Sequence, residues 1–325
     1  MEFIITLDTE ADNQWDHGRK LTVENIGYIP RFQNLCENYA IRPTYLVTSE
    51  VAGNDFARGI LSAYVRDNRA EIGAHLHSWS TPPFIDRIGY RENDVNHAFA
   101  SELPFELLDS KIRLLTTQIE NSFGKRPTSF RSGRYGFNDA VAKSLISNGY
   151  LVDSSVTPFV SWAEQRGIPG SSGGPDFIDS IPYPHHYEFE NGSIAEIPIT
   201  ILPTCFPLNR NLYISKYYFR KVNNSLILRG LRKIFYADQP LWLRPTPNMN
   251  ITLFKKLINE AIIKKLPFVV MMFHSSELMP GCSKYRPDKV SVEELYELLE
   301  NFFILLSESK ISTTTLTGAV KGSDL

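Results

Sequence analysis

The sequence predicts an α/β fold built around a mainly parallel sheet. Short apolar segments alternate along the chain with segments of helical periodicity, which is the pattern of repeated βα units. The 325 residues are 42% hydrophobic and 22% charged, a globular composition in a chain long enough for a barrel domain. Because strands are needed from both sides of a Pro- and Gly-rich stretch, we expect one domain, 1–325, with a long functional loop inserted at about 158–194. A linker between two domains is the alternative.

Eight short, mostly apolar runs are the predicted strands. Parallel strands end at the same edge of a sheet, so the polar residues that follow several of these runs are expected to lie together. In chain order the strands are Phe3–Leu7, Thr44–Thr48, Glu71–Leu76, Ser129–Arg131, Tyr150–Asp153, Ala195–Ile201, Phe268–Phe273 and Ser312–Leu316.

Six segments in which apolar residues recur every three or four positions are the predicted helices. Ser291 followed by Glu294 has the capping-box pattern, and Asn138 or Asp139 can cap the helix that follows them. The helices are Val23–Tyr39, Phe56–Asp67, Phe105–Phe123, Asp139–Asn148, Ile251–Lys265 and Val292–Ser307.

The composition argues against several function classes. The 34 Lys and Arg residues against 36 Asp and Glu give a formal charge of -2, which does not favour nucleic acid as a partner. Three widely spaced cysteines offer neither a disulfide framework nor a cysteine metal site. The N-terminus reads as a strand instead of a signal peptide, and no apolar run approaches ~18 residues. We therefore expect a cytoplasmic protein without a membrane span, with peripheral membrane association left open.

Acids and histidines follow the first and third strands. Asp8, Glu10 and Asp12 come in close succession, and burying carboxylates beside a core strand is costly unless a cation or hydrogen bonds compensate. Strand alternation places His75 and His77 on one face. Imidazole together with carboxylate suits zinc or another divalent transition metal, so the pattern predicts a metal site. A solvated acidic turn and structural histidines are the alternatives.

Two other strand ends carry residues suited to acid–base chemistry. Arg131 and Arg134 follow the fourth strand, and the rigid fork of an arginine could hold Asp8 ionised, although a solvated loop is the alternative. His274 follows a late apolar strand and could act as a general acid, with Asp153 as a candidate carboxylate partner. A histidine that merely ends a strand is the simpler interpretation.

Taken in order, these strand-end residues resemble the motifs of the polysaccharide deacetylase family, also called the NodB-homology domain or carbohydrate esterase family four. The resemblance spans most of the chain and implies a distorted (β/α) barrel of about seven parallel strands. Thr6–Glu10 is similar to the family's Thr-Phe-Asp-Asp-Gly, Phe130–Gly133 to its Phe-Arg-Pro-Pro, and Met272–His274 to its Leu-x-His.

The resemblance also implies catalytic roles. Family members use a divalent metal to remove acetyl groups from sugars. Asp8 would be the catalytic base, and Arg131 would orient it. Asp153 matches the fourth motif, and His274 would be the general acid.

The metal motif differs from that of the family. Thr9 stands where the family has a second aspartate, and the family's two histidines are four residues apart. Here Glu10 fits an Asp-x-Asp type of spacing, and His75 and His77 remain as a pair. The implied ligands are Glu10, His75 and His77, with zinc as the expected ion and Asp12 as a substitute for Glu10.

The main hypothesis is metal-dependent deacetylation of a sugar in a capsular polysaccharide, an O-antigen or a precursor of these. Trp15, Trp79 and Tyr135 could stack on a pyranose ring, with Arg134 as a further substrate contact. A cytoplasmic protein does not meet finished cell-wall polymers, so we expect a nucleotide- or lipid-linked precursor as the substrate. The alternatives are an inactive protein of this fold that binds carbohydrate or assists polysaccharide assembly, and a hydrolase of non-sugar amides.

Overall fold

The structure is a computed structural model, and it describes residues 1–15, 20–84, 97–171, 173–223 and 239–322. The strands in these residues are β1 (Glu2–Thr9), β2 (Thr44–Val47), β3 (Glu71–Leu76), β4 (Ser129–Ser132), β5 (Val152–Asp153), β6 (His185–Phe189), β7 (Gly192–Glu196), β8 (Ile201–Leu202), β9 (Leu241–Trp242), β10 (Phe268–His274) and β11 (Ser312–Thr313).

A curved sheet of parallel strands forms the centre of the molecule. Its order is β10-β1-β2-β3-β4-β5-β7, with every neighbouring pair parallel. Strand β6 adds an antiparallel edge to β7, and β11 pairs with the start of β1. The predicted distorted (β/α) barrel of about seven parallel strands is confirmed.

The two ends of the sheet are joined by a short segment after β7. Thr200 donates its backbone N–H to the carbonyl of Val270 in β10 (3.2 Å), and its hydroxyl accepts from the Val270 N–H (2.8 Å). Leu243, next to β9, donates to the Thr200 carbonyl (2.8 Å). These bonds explain why the predicted strand Ala195–Ile201 is divided into two, because Thr200 pairs with β10 instead of continuing along β5.

Helices surround the sheet. They are α1 (Ile29–Asn38), α2 (Ser49–Ala52), α3 (Asp55–Arg66), α4 (Phe105–Phe123), α5 (Asp139–Ser147), α6 (Leu212–Asn223), α7 (Ile251–Ile263), α8 (Lys289–Glu308) and α9 (Leu316–Lys321). Among the described residues, none of these helices is both long enough and apolar enough to cross a bilayer.

Most helix predictions agree with the structure, and the deviations occur at the ends. The Asn138 side chain caps α5, as expected. Helix α8 begins earlier than predicted, because Asp288 and not Ser291 is its N-cap. The first helix is 3₁₀ in its opening turns, and α1 begins only at Ile29, where Pro30 suits a helix start. Predicted strand Ser312–Leu316 ends early, since Leu316 opens α9.

Alternation along the strands divides the barrel interior into an apolar floor and a polar upper layer. The floor is a separate core cluster that includes Ile4 of β1, Val270 of β10 and Leu316 of α9. On the same face of β1 follow Thr6 and Asp8, which are both buried. The polar side chains are therefore held inside the barrel at the carboxyl ends of its strands.

Candidate active site

Glu10, His75 and His77 form a buried group that could hold a metal ion. One potential ligand atom from each residue lies within 4.8 Å of the other two. The Nε2 atoms of His75 and His77 are 3.0 Å apart, and Glu10 Oε2 lies 3.3 Å from His77 Nε2 and 3.9 Å from His75 Nε2. Two ligands bound to one zinc ion are ~3.3 Å apart, since each Zn–N or Zn–O bond is ~2.0–2.2 Å. The spacing fits one small cation.

Hydrogen bonding holds His75 in the form that a metal ligand requires. The Nδ1–H of His75 donates to the backbone carbonyl of Arg131 (2.9 Å), which leaves the lone pair of Nε2 facing the group. The Nδ1 of His77 is buried and has no hydrogen-bond partner in the described part of the chain. Two imidazole nitrogens that face each other at 3.0 Å need a cation or a proton between them. The donor set therefore fits a divalent ion.

The pKa values of these three groups agree with this environment. Burial raises the pKa of Glu10 to about 7, and Asp8 and Glu50 add to the shift. Burial lowers the pKa of His75, and burial together with His75 lowers the pKa of His77 well below its usual value. Neutral imidazoles are the form that binds metals.

Asp8 lies beside this group and is held ionised by Arg131. The Arg131 Nη1 donates to Asp8 Oδ1 at 2.7 Å, and both side chains are buried. Burial would raise the pKa of Asp8, but Arg131, His75 and His274 outweigh it and lower that pKa. The second carboxylate oxygen lies 3.9 Å from His75 Nε2 and 3.9 Å from His274 Nε2. Asp8 thus turns an unprotonated oxygen towards the histidines.

The guanidinium of Arg131 is fixed by neutral groups as well as by Asp8. Its Nε donates to the Ser154 carbonyl (2.7 Å), Nη2 to the Ser154 hydroxyl (3.0 Å) and Nη1 to Thr6 Oγ1 (2.9 Å). Since buried ion pairs gain from such additional bonds, Arg131 is a rigid support for Asp8.

Asp153 was predicted to be the partner of His274, but its side chain bonds to Ser155 and Glu196 instead. It accepts hydrogen bonds from the backbone N–H and the hydroxyl of Ser155, both at 2.8 Å, and is hydrogen-bonded to Glu196 of β7. Burial raises the pKa of Asp153, while burial and Asp153 raise the pKa of Glu196 well above its usual value. Sequence reasoning did not identify Glu196 as the partner of Asp153.

The carboxylate partner of His274 is Glu277 instead of the predicted Asp153. Arg244, which was not predicted, contacts both residues. Glu277 Oε1 lies 3.3 Å from His274 Nδ1, and Arg244 Nη2 lies 2.9 Å from the same Oε1 and 3.0 Å from the imidazole. Burial would lower the pKa of His274, but Glu10, Glu277 and Asp8 raise it. Burial would raise the pKa of Glu277, but His274 and Arg244 lower it to about 2.

The sequence gives a hint of the Glu277 contact but none of the Arg244 contact. Glu277 follows His274 by three positions, a spacing that could have indicated the contact. Arg244 is 30 residues away in the chain, and only the bridge between β9 and β10 brings it to the site.

Among the predicted sugar-binding residues, Trp15 and Trp79 lie over the histidines. The Trp79 ring stacks on His77 at a centroid distance of 4.4 Å, and Trp15 lies 5.4 Å from Trp79. Trp79 is buried, whereas 55% of Trp15 is exposed. Trp15 also borders a cleft of about 440 Å³ that contains Glu10 and His274. A flat apolar ring at the mouth of a polar cleft suits a sugar face.

The two other predicted sugar contacts, Tyr135 and Arg134, pack against neighbouring residues of the protein. Tyr135 is buried and stacks on Trp162, with ring centroids 5.1 Å apart. Arg134 packs 3.9 Å above the Phe99 ring and donates to the carbonyl of His97. 

Asp12 does not substitute for Glu10. Its carboxylate accepts the backbone N–H groups of Glu24 and Asn25, both at 2.8 Å. His185 and His186 begin the edge strand β6, outside the Glu10–His75–His77 group.

No family model matches the chain, and no curated protein matches it. Solved structures are similar to it in fold. A 4-alpha-glucanotransferase from Thermococcus litoralis has a TM-score of 0.52 at 11% identity, covering 100% of this chain and 39% of that one. The Xyl-CE4 domain of a xylanase from the hindgut metagenome of Trinervitermes trinervoides has 0.45 at 10%, covering 99% and 90%.

A family 4 acetyl xylan esterase from Clostridium thermocellum, solved with a cobalt ion, has a TM-score of 0.42 at 13% identity, covering 99% of this chain and 91% of that one. A carbohydrate esterase family 4 pseudoenzyme from Bacillus anthracis has 0.44 at 11%, covering 98% and 65%. The comparisons show the fold of this chain, and its structural neighbours include active and inactive members of carbohydrate esterase family 4.

Proposed function

We propose that this protein is a metal-dependent hydrolase that removes an acetyl group from a sugar. The observation that carries the proposal is that a candidate metal site, a base and an acid lie next to one another. A candidate ligand group (Glu10, His75 and His77) lies beside an ionised carboxylate and a histidine of raised pKa. Hydrolysis of an amide or ester needs these parts, namely an electrophile, a base and an acid.

The residues of the chain have separate tasks in this reaction. A divalent ion held by Glu10, His75 and His77 would polarise the acetyl carbonyl and stabilise negative charge on its oxygen. Asp8 accepts a proton from the attacking water, because Arg131 keeps it ionised.

His274 protonates the leaving group, which is the amine nitrogen of an amide or the alkoxide oxygen of an ester. Its pKa is raised, so it holds a proton where Asp8 does not. Arg244 and Glu277 position the ring through Nδ1, which leaves Nε2 facing Asp8 at 3.9 Å. The site therefore keeps its acid and its base in opposite protonation states next to each other.

The proposed substrate is an acetylated sugar of a capsular polysaccharide, an O-antigen or a nucleotide- or lipid-linked precursor of these, met in the cytoplasm. Trp15 and Trp79 provide the stacking surface, and the cleft beside them leads to Glu10 and His274. Zinc is the proposed ion because the ligands are two imidazoles and one carboxylate.

One observation favours a second function, binding of carbohydrate without hydrolysis. The Nε2 atoms of His75 and His77 lie 3.0 Å apart, so a single shared proton could satisfy both without an ion. Such a protein would keep the aromatic surface and would release no acetate.

Acetate release separates the two functions. Wild-type protein incubated with zinc is expected to release acetate from acetylated sugars, and Asp8→Asn should lower the rate by about 1,000-fold. Asp55→Asn is the control, because Asp55 is an exposed residue of α3 that pairs with Arg58 outside the cleft, and its replacement should leave the rate unchanged. Equal rates for wild type and Asp8→Asn would refute the catalytic role of Asp8.

A further inference from the structure

Helix α6 has an unusual outer face. It is attached to the body of the protein through Ser215, Phe219 and Val222, which are buried. On the opposite side Tyr213 is 84% exposed and Tyr217 is 66% exposed. Single exposed apolar residues are common, but neighbouring large ones on one helix face mark an interaction surface.

The positions of the residues around the helix axis make this face continuous. At 100° per residue, Tyr213, Tyr217, Lys221 and Ile214 follow one another across about 100°. Ile214 is 45% exposed. Phe206, which is 80% exposed, lies on the loop that leads into the helix. Aromatic and aliphatic side chains thus project from the surface where charged residues would be expected.

Cations lie within the aromatic face and along one side of it. Lys221 lies between Tyr217 and Ile214, with its Nζ 5.5 Å from the Tyr217 ring centroid, and Lys216 and Arg220 lie on the Tyr213 side. Of these three, Arg220 pairs with Asp179. In the sequence, residues 210–238 hold seven Lys or Arg and one Asp, although the whole chain has a formal charge of -2. The sequence of this helix and of its flanking segments is therefore rich in positive charge.

We propose that the outer face of α6 docks on an anionic lipid surface. Tyrosines prefer the boundary between headgroups and acyl chains, and flanking Lys and Arg residues are attracted to negative lipid. An acidic protein partner would match the cations equally, but it would not require apolar side chains that project at 66% and 84% exposure. The face is separate from the candidate active site, and the proposal does not depend on the proposed function.

Sedimentation with lipid vesicles tests this proposal on the full chain. Wild-type protein should bind vesicles of equimolar phosphatidylglycerol and phosphatidylcholine, and binding should weaken at high salt. Lys216→Glu/Lys221→Glu should lower the partition coefficient at least about 25-fold, since each cation contributes about 5-fold. Tyr213→Ser/Tyr217→Ser should also lower it, without changing the melting temperature.

Matched controls come from exposed helix surfaces elsewhere. Lys255→Glu/Lys256→Glu on α7 changes the net charge equally, and Val290→Ser removes another exposed apolar group (67% exposed). Both should bind as wild type does. No binding to anionic vesicles, equal binding to pure phosphatidylcholine, or equal losses in the controls would overturn the proposal. A wild-type dimer that Tyr213→Ser/Tyr217→Ser turns into a monomer would also overturn it, by assigning the face to a second copy.

Discussion

Two buried glutamates at opposite ends of the same barrel differ in how they are satisfied. Glu71, at the start of β3, accepts hydrogen bonds from the hydroxyls of Ser129, Thr44 and Thr317 and from the Thr317 N–H. Glu10, just after β1, faces histidines at 3.3 and 3.9 Å, and burial raises its pKa to about 7. Hydrogen bonds already stabilise the first carboxylate, whereas for the second the cost of burial exceeds what its charged neighbours offset, a cost that a bound cation would remove. The difference separates a structural acid from a candidate ligand.

The largest effect is expected where a buried charge loses its partner. Arg131→Met would leave Asp8 buried without its cation, and we expect a loss of about 3–5 kcal/mol in the free energy of unfolding. Urea denaturation measures it. The control Arg126→Met breaks an exposed pair with Glu120 and should cost at most about 1 kcal/mol. Similar costs for both variants would show that Asp8 does not depend on Arg131.

Zinc affinity should distinguish Glu10 from Glu71. Glu10→Gln should weaken zinc binding by at least about 100-fold, because the amide brings no charge to the ligand group. Glu71→Gln should leave the affinity unchanged. Calorimetric titration of both variants provides the measurement, and equal losses of affinity would abolish the distinction between the two acids.

For the free energy of unfolding without metal, Glu71→Gln should have the larger effect and Glu10→Gln the smaller one. Glu71→Gln places an amide NH₂ against groups that donate to the carboxylate, which should cost about 2 kcal/mol. Glu10→Gln removes a carboxylate for which the cost of burial exceeds what His274 and Arg244 offset, so it should cost nothing or stabilise the protein. Urea denaturation in the presence of chelator measures both variants. If Glu10→Gln is the more destabilising, Glu10 is a structural residue.

The smallest effect is expected at a third glutamate, Glu277. The pKa of Glu277 is lowered to about 2, so its ionised form stabilises the fold above its ordinary pKa of 4.5, and this stabilisation is lost as the pH falls towards 2. The gap in unfolding free energy between wild type and Glu277→Gln should therefore narrow by about 1 kcal/mol from pH 7 to pH 4. A gap independent of pH would contradict the pairing with Arg244 and His274.

The strand pattern predicts most of the residues that the site brings together. Alternation placed His75 and His77 on one face, and the strand ends supplied Asp8 and Glu10, because these residues are close in sequence. Arg244 could not be predicted, since its contact depends on how the chain next to β9 meets β10. Glu196 could not be predicted, since its contact with Asp153 depends on the pairing of β7 with β5.

Helix α6 and strand β6 are among the elements that the sequence did not predict, and the reason is similar for both. Helix α6 exposes Tyr213 and Tyr217, so apolar residues lie on both of its faces and the helical period is blurred. Strand β6, on the sheet edge, is polar at His185, His186 and Glu188 and lies within the predicted loop 158–194. Surfaces that face solvent or a partner do not follow the pattern of a buried core.

Metal content tests the central claim most directly. Protein purified without chelator, or incubated with zinc and then desalted, should contain about one divalent ion per chain, and His75→Ala/His77→Ala should contain none. The control His185→Ala/His186→Ala removes two histidines outside the group and should keep the ion. Wild-type protein that retains no zinc, cobalt or nickel would contradict the account and favour carbohydrate binding without hydrolysis.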